Sequence, residues 1–240
     1  MKRSISVRKP FQNAILASLP SEVYARFVPH LKPVTLPVGQ VLMEAGADIE
    51  RAYFVNSGMV SVVAVLRNGD TLEVGVIGRE GVADVNALLG CKTTLNQLIV
   101  QVAATGLCIK ASVLTRLYQE CGPQLWATGQ RYIQYRLNQV SQSAICNHAH
   151  EIQERLARWL LTTADTIGAD RFELTHEFLS QMLGARRSSV TLAAGILAHA
   201  GVIEYSRGRI LILKRAALED LACECYGTLK DELTEVAGRQ

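Results

Sequence analysis

The spacing of apolar positions changes along the chain, first near residue 33. Residues 13–31 carry apolar side chains three to four positions apart, which predicts a short helical segment. From about residue 33 apolar and β-branched residues alternate, with glycines at positions 39, 46, 58, 69 and 78. Short strands separated by glycine-containing turns predict a β-sandwich or barrel. Residues 67–70, with the sequence RNGD, predict a hairpin turn because asparagine and glycine tolerate positive φ angles.

A second change follows Pro123, where the pattern becomes that of a long helix. Residues 124–147 contain no proline, and a helix of this length spans about 36 Å. Its apolar stripe is narrow, which is typical of a helix that pairs with its own copy. We therefore predict a homodimer, with packing inside one chain as the alternative. The predicted interface residues are Ile133, Leu137, Val140 and Ala144.

A third pattern occupies the C-terminal part of the chain. Residues 148–167 predict an amphipathic helix, and residues 171–174 a short strand. Thr175 is a candidate N-cap for the next helix, which Gly184 ends. A further helix begins near Arg187 and ends at Gly201, with an inner face that includes Val190, Ala194 and Leu197 and with Ala193 and Ile196 nearby. Residues 202–213 then predict a hairpin, which completes the order of a winged helix-turn-helix.

Positive charge is concentrated in this last segment. The whole chain has a net charge of only +3, yet between Arg186 and Arg215 six basic residues face a single acidic residue, Glu204. Arginines and hydroxyls at a helix N-terminus suit phosphate and base edges, because the first backbone N–H groups there are unpaired. Solvent-facing arginines on an ordinary helix are the alternative. The predicted DNA contacts are Thr175, Gln181, Arg186, Arg187, Ser188, Ser189, Thr191, Arg207 and Arg209.

Composition narrows the class of protein further. The chain is 49% hydrophobic and 20% charged, which predicts a globular protein rather than a disordered one. The apolar runs fall short of the ~18 residues that span a bilayer, and no signal-peptide segment follows the basic start. We therefore expect a cytoplasmic protein without a membrane partner.

Two groups of residues resemble a known family. The spacing of Leu36, Gly39, Gly46, Tyr53 and Gly58 is similar to the opening strands of the cyclic-nucleotide-binding jelly roll. The pattern from Thr175 through Gly184 to Arg187 is similar to the family's helix-turn-helix. Together they resemble the Crp/Fnr family of bacterial transcription regulators over about residues 15–220.

The resemblance implies an α+β fold: an N-terminal antiparallel β-roll or jelly roll, a long dimerisation helix and a C-terminal winged helix-turn-helix. The expected division is a sensor domain at 1–122, the dimerisation helix at 123–147, the DNA-binding domain at 148–225 and a C-terminal tail at 226–240. The expected partners are a second copy of the chain and double-stranded DNA with a palindromic operator, with RNA polymerase as a further candidate.

The sequence departs from the family at its ligand-binding positions. Members that bind cyclic nucleotides carry an arginine for the phosphate, and the matching segment here falls near Asn96 and Gln97. A buried phosphate without a cation is costly, so we expect neither cyclic AMP nor cyclic GMP as effector. Because the first cysteine is Cys91, the family's N-terminal iron–sulfur cysteines are missing, and the histidines match no haem or metal motif. We predict no cofactor and leave the effector open.

The recognition helix also departs from the family pattern. Arg187 matches the family's first base-reading arginine, but Ser188 and Leu192 stand where familiar members carry glutamate and arginine. We therefore expect an operator that differs from the familiar consensus.

Other chemistries find little support in the sequence. The six cysteines are scattered, and the spacing of Cys223 and Cys225 is a poor structural zinc half-site, so we expect buried or terminal thiols and no metal. Nucleophile elbow and P-loop motifs are missing, and Asp84 and His148 are isolated candidates, so we do not expect an enzyme. The alternative to a DNA-binding regulator is a ligand-binding module that contacts a protein partner.

Overall fold

The N-terminal helical segment is divided in two by a proline. The computed structural model describes residues 13–206 and 208–238. Helix α1 (Ala14–Ser18) ends before Pro20, helix α2 (Ser21–Phe27) follows, and a 3-10 turn covers Val28–His30. A proline disfavours helical dihedral angles at the residue before it, which explains the break before Pro20. Asn13 fixes the segment, since its Nδ2 donates to the carbonyls of Val55 and Gly81 at 2.9 and 2.7 Å.

The prediction of an antiparallel β-roll is confirmed. Its strands pair in the order β1-β6-β3-β4, with β2 on β6 and β5 on β3, and all pairings are antiparallel. Register shifts interrupt the long β3–β6 ladder, and such bulges let a sheet bend into a roll. The strands are β1 (Lys32–Leu36), β2 (Val41–Met43), β3 (Arg51–Val65), β4 (Thr71–Ile77), β5 (Val82–Ala83) and β6 (Asn96–Lys110), with a short helix α3 (Asn86–Leu89) between the last two.

The hairpin turn at residues 67–70 is also confirmed. It joins β3 to β4, with the Leu66 amide donating to the Asp70 carbonyl at 2.9 Å. Gly69 adopts a φ of 89°, a conformation that glycine reaches without steric cost.

The long helix extends slightly beyond its predicted range. Helix α4 (Ala111–Glu120) leads into α5 (Pro123–Ala149), a 27-residue helix with Pro123 in its first turn. One side of α5 packs against the roll and buries Tyr132, Tyr135 and Gln139.

The C-terminal domain contains the predicted helix-turn-helix and hairpin. The predicted helix at 148–167 begins only at residue 152, because His150 is extended and Glu151 caps the next helix with Glu154 in a reciprocal capping box. The elements are α6 (Ile152–Ile167), β7 (Arg171–Glu173), α7 (His176–Met182), α8 (Arg187–His199), β8 (Ile203–Ser206), β9 (Arg209–Ile212), α9 (Arg215–Asp220) and α10 (Cys225–Gly238).

The C-terminal domain shares a hydrophobic core with the β-roll. Leu156 and Leu160 of α6 cluster with the helices α7 and α8 and with Met59, Val63 and Val76 of the roll. Helix α10 returns to pack against α5 and α6. The two parts of the chain therefore contact each other directly, in addition to being joined by α5.

Candidate nucleic-acid interface

The helix-turn-helix is held by a threonine cap, a glycine turn and a small apolar core. The Thr175 hydroxyl accepts a hydrogen bond from the Phe178 amide at 3.2 Å, as an N-cap does. Gly184 ends α7 with a φ of 55°, and α8 then buries Val190 together with Ala193, Ala194 and Leu197. Ile196, expected near this inner face, is instead 43% exposed.

The N-terminus of α8 is open to solvent. Arg186 occupies the N-cap position, and its side chain makes no capping hydrogen bond. Arg186, Arg187, Ser188 and Thr191 are exposed, and Ser189 is half-buried. Uncapped backbone N–H groups beside two guanidinium groups form an anion-binding surface, which suits a phosphate of the DNA backbone.

Two of the predicted arginines lie beside carboxylates of neighbouring elements. Arg187 Nη1 is 3.8 Å from Glu177 Oε2, and Arg209 Nε is 3.5 Å from Glu173 Oε1. All four side chains are well exposed, so each pair contributes little stability and can exchange for a stronger anion. These acidic partners were not predictable from the sequence, because no motif marks Glu173 or Glu177.

The wing is part of a three-stranded sheet. Strand β9 pairs with β8 on one side and with β7 on the other, which places Arg209 opposite Ser206 and Glu173. Arg171 on β7 is exposed as well. Arg207 lies outside the described residues. Gln181 is exposed on α7, in the turn before α8.

One apolar residue of the recognition helix remains unburied. Leu192 is 67% exposed on α8, one position after Thr191. An apolar side chain on this helix can read a thymine methyl group in the major groove.

A pocket of about 200 Å³ lies between the β-roll and α5, and its lining includes Asn96, near the position of the family's missing phosphate-binding arginine. Asp84, with a positive φ of 73°, places a buried carboxylate there, and its Oδ2 has no hydrogen-bond partner. Burial raises the pKa of this carboxyl group. Among the described residues that line the pocket, the cation is Arg136, whose Nη1 already donates to the Val76 carbonyl at 2.7 Å and to Gln139.

The cysteines are less scattered in space than in sequence. All six are free thiols. Cys146, His150, Cys223 and Cys225 bring their ligand atoms within 4.8 Å of one another at the end of α5. These three cysteines are buried, as expected, and the fold brings them together although they are scattered in the sequence. The spacing Cys146-x3-His150 on one helix was the available signal, because residues four apart lie on the same face.

Comparisons with known proteins agree with this architecture. The cyclic nucleotide-binding domain model matches residues 33–121, and the Crp-like helix-turn-helix domain model matches residues 154–221. No curated protein sequence matches the chain significantly. Neither domain model describes an enzyme.

Solved structures of regulators share the fold. FixK2 from Bradyrhizobium japonicum is 15% identical with a TM-score of 0.68, over 80% of this chain and 98% of that one. CLP, the c-di-GMP responsive global regulator of Xanthomonas campestris, is 17% identical with a TM-score of 0.66, over 80% and 99% of the two chains. TTHB099 of Thermus thermophilus, a CRP-family transcriptional regulator, is 19% identical with a TM-score of 0.66, over 79% and 96%.

The β-roll, the long helix and the helix-turn-helix together form the fold that joins a cyclic nucleotide-binding domain to a Crp-like helix-turn-helix. The two domain models together cover well over half of the chain. The chain belongs to the Crp/Fnr family of transcription regulators. Among the described residues, no helix is both long and apolar enough to cross a membrane.

Proposed function

We propose that the protein is a sequence-specific, DNA-binding transcription regulator that acts as a homodimer. The observation that carries the proposal is the open N-terminus of α8, where Arg186 and Arg187 flank uncapped backbone N–H groups. In a helix-turn-helix, this end of the second helix enters the major groove. Arg187 is the base-reading residue, and Arg209 in the wing contacts phosphate or the minor groove.

The exposed face of α5 supports the dimer. Leu137 is 63% exposed and Val140 is 40% exposed, although both are apolar and central in the helix. Ala144 and Ile145 extend the same exposed surface by about one turn, and Ile133 is half-buried at its other end. Pairing α5 with its copy removes this apolar surface from water, which is the driving force for association. The two recognition helices then address the half-sites of a palindrome.

We assign the roles expected from the sequence to four ranges. These are a sensor at 1–122, the dimerisation helix at 123–147, the DNA-binding domain at 148–225 and a C-terminal tail at 226–240. The pocket beside Asp84 supports a sensor that does not take a cyclic nucleotide. Its buried carboxylate would repel a cyclic phosphate, and Arg136 is already bonded to the protein.

The experiment that tests DNA binding measures affinity against salt concentration. Wild type, Arg187→Ala and the control Arg116→Ala are compared on a mixture of genomic fragments; Arg116 is exposed on α4, away from α8. We expect affinity to fall steeply with salt for wild type and the control. Arg187→Ala should bind more weakly than both. A wild type that binds no DNA at low salt would refute the proposal and favour a module that contacts a protein partner.

A further inference from the structure

A compact set of three thiols and one imidazole surrounds the joint between α5 and α6. Cys146 and His150 lie one turn apart at the C-terminal end of α5. Cys223 and Cys225 come from the other side, where the chain passes from α9 into α10. The three thiols are buried, and the His150 side chain is 15% exposed.

Two separations between ligand atoms match those of a tetrahedral metal site. Cys146 Sγ is 3.5 Å from Cys223 Sγ, and Cys225 Sγ is 3.6 Å from His150 Nδ1. In a zinc site with ligands about 2.0–2.3 Å from the ion, two ligand atoms lie roughly 3.3–3.8 Å apart. All four ligand atoms lie within 4.8 Å of one another, so small side-chain movements bring them to the corners that one small ion requires.

The imidazole is oriented for coordination through Nδ1. Its other nitrogen, Nε2, lies 3.0 Å from Glu224 Oε2. A proton on Nε2 that is donated to this carboxylate leaves the lone pair of Nδ1 facing the thiols. Metal-binding histidines are held in this way by a carboxylate or carbonyl behind the ring.

Two cations offset the charge of the site. Three thiolates, a neutral imidazole and a divalent ion have a net charge of −1. Arg155 and Arg158, in the first turns of α6, lie close enough to act electrostatically on Cys146, and the Nε atoms of both are buried without a hydrogen-bond partner. A buried anionic centre needs such compensation.

We propose that Cys146, His150, Cys223 and Cys225 bind one Zn²⁺ ion per chain in a closed tetrahedral site. Thiolate and imidazole ligands in this geometry select zinc over the harder divalent ions. Four protein ligands leave no position for water or substrate, so the ion is structural. The zinc ion links the start of α10 to the C-terminal end of α5.

The site also reaches the helix-turn-helix through one contact. Arg155, which lies beside the thiols, donates a hydrogen bond to the Leu183 carbonyl at the end of α7. Zinc therefore restrains the joint between α5 and α6 and, through Arg155, the position of α7. Loss of the ion loosens the C-terminal domain while leaving the β-roll folded.

The test uses the full chain, purified under reducing conditions with any affinity tag removed. Elemental analysis should give one zinc per chain. Replacement by Co²⁺ should give thiolate-to-cobalt charge-transfer bands and the intense visible bands of a tetrahedral site. X-ray absorption should show sulfur ligands at about 2.3 Å from zinc. These measurements do not involve DNA, so their failure is distinct from failure of the proposed function.

Variants locate the site within the chain. Cys146→Ser and Cys223→Ser should lose the zinc, whereas Cys108→Ser, which alters a buried cysteine of the β-roll, should keep one ion. Glu224→Gln should keep one ion with affinity lower by roughly 10-fold or more, measured by competition with a chelator.

Other outcomes would overturn the proposal. Reduced wild type that takes up neither zinc nor cobalt would do so, whatever the variants show. A disulfide between Cys146 and Cys223 would also overturn the proposal, if reduction of that disulfide leaves the metal content of the chain unchanged. Zinc that remains in the folded Cys146→Ser and Cys223→Ser variants would place the ion elsewhere.

Discussion

Trp159 and Glu73 join the C-terminal domain to the β-roll through a buried hydrogen bond. The indole Nε1 donates to Glu73 Oε1 at 2.7 Å, and the Ser61 hydroxyl donates to the other carboxylate oxygen at 2.6 Å. Because Trp159 belongs to α6 and Glu73 to β4, the bond crosses between the two parts of the molecule. Burial of the carboxylate, which outweighs these two bonds, raises the pKa of Glu73 from 4.5 to about 7.

The raised pKa of Glu73 predicts that the free energy of unfolding decreases as the pH rises. Between about pH 4.5 and 7 the folded state holds a proton on Glu73 that the unfolded state has lost, so raising the pH favours unfolding. The contribution amounts to roughly 3 kcal/mol at most. Urea unfolding across this range should show a decreasing free energy for wild type and a smaller decrease for Glu73→Gln. Glu80 is half-buried, and desolvation raises its pKa, so it retains part of the effect. Equal slopes in both proteins would exclude Glu73 as the titrating group.

A charge on the exposed face of α5 should separate the proposed dimer. Leu137→Glu places two carboxylates near the two-fold axis, where burial of like charges is costly. Light scattering should show wild type as a dimer and Leu137→Glu as a folded monomer. Leu95→Glu is the control, because Leu95 is 87% exposed and lies on the β-roll side of the chain. A monomeric wild type at micromolar concentration would contradict the assignment of the interface.

Cyclic AMP should leave both stability and DNA affinity unchanged. A ligand of the folded state at 100 times its dissociation constant adds about 2.7 kcal/mol of stability, which thermal unfolding detects readily. We expect no shift with millimolar cyclic AMP, because Asp84 Oδ2 is buried in the pocket without a hydrogen-bond partner and Arg136 is bonded to Val76. A clear increase in melting temperature would show that the pocket does accept the nucleotide.

Local patterns predicted most of the architecture, because they depend on neighbouring residues. The RNGD turn, the Thr175 cap and the glycine after α7 each follow from short-range backbone preferences. The narrow stripe around Leu137 likewise predicted a long helix with an exposed apolar face.

Features that depend on distant parts of the chain were not predictable in this way. Cys146 and Cys223 are 77 positions apart, and only the return of α10 to α5 brings them together. The bond between Trp159 and Glu73 spans 86 positions. The break between the two helices was predicted at residues 147–148 but lies at His150, because the capping box that begins α6 comes from Glu151 and Glu154.

The wing and the recognition helix should have different roles in DNA binding. Arg209→Ala should weaken binding to all sequences about equally and reduce the salt dependence by about one phosphate contact per subunit. Arg187→Ala should lower specific affinity and relax the preference at one base pair of each half-site, since an arginine contact to guanine contributes roughly 1–3 kcal/mol of discrimination. Salt titrations on specific and random duplexes separate the two effects. Equal losses on both duplexes for Arg187→Ala would argue against base reading by that residue.

Binding-site selection from random duplexes, with wild type, Arg187→Ala and Arg209→Ala in parallel, tests the central claim most directly. We expect wild type to enrich a palindrome whose half-sites lie about 10 base pairs apart, one turn of the duplex. Arg187→Ala should lose preference at one position in each half-site, while Arg209→Ala should select the wild-type motif with lower yield. The absence of any enriched motif, or a motif that Arg209→Ala alters and Arg187→Ala leaves unchanged, would contradict the assignment of α8 as the recognition helix.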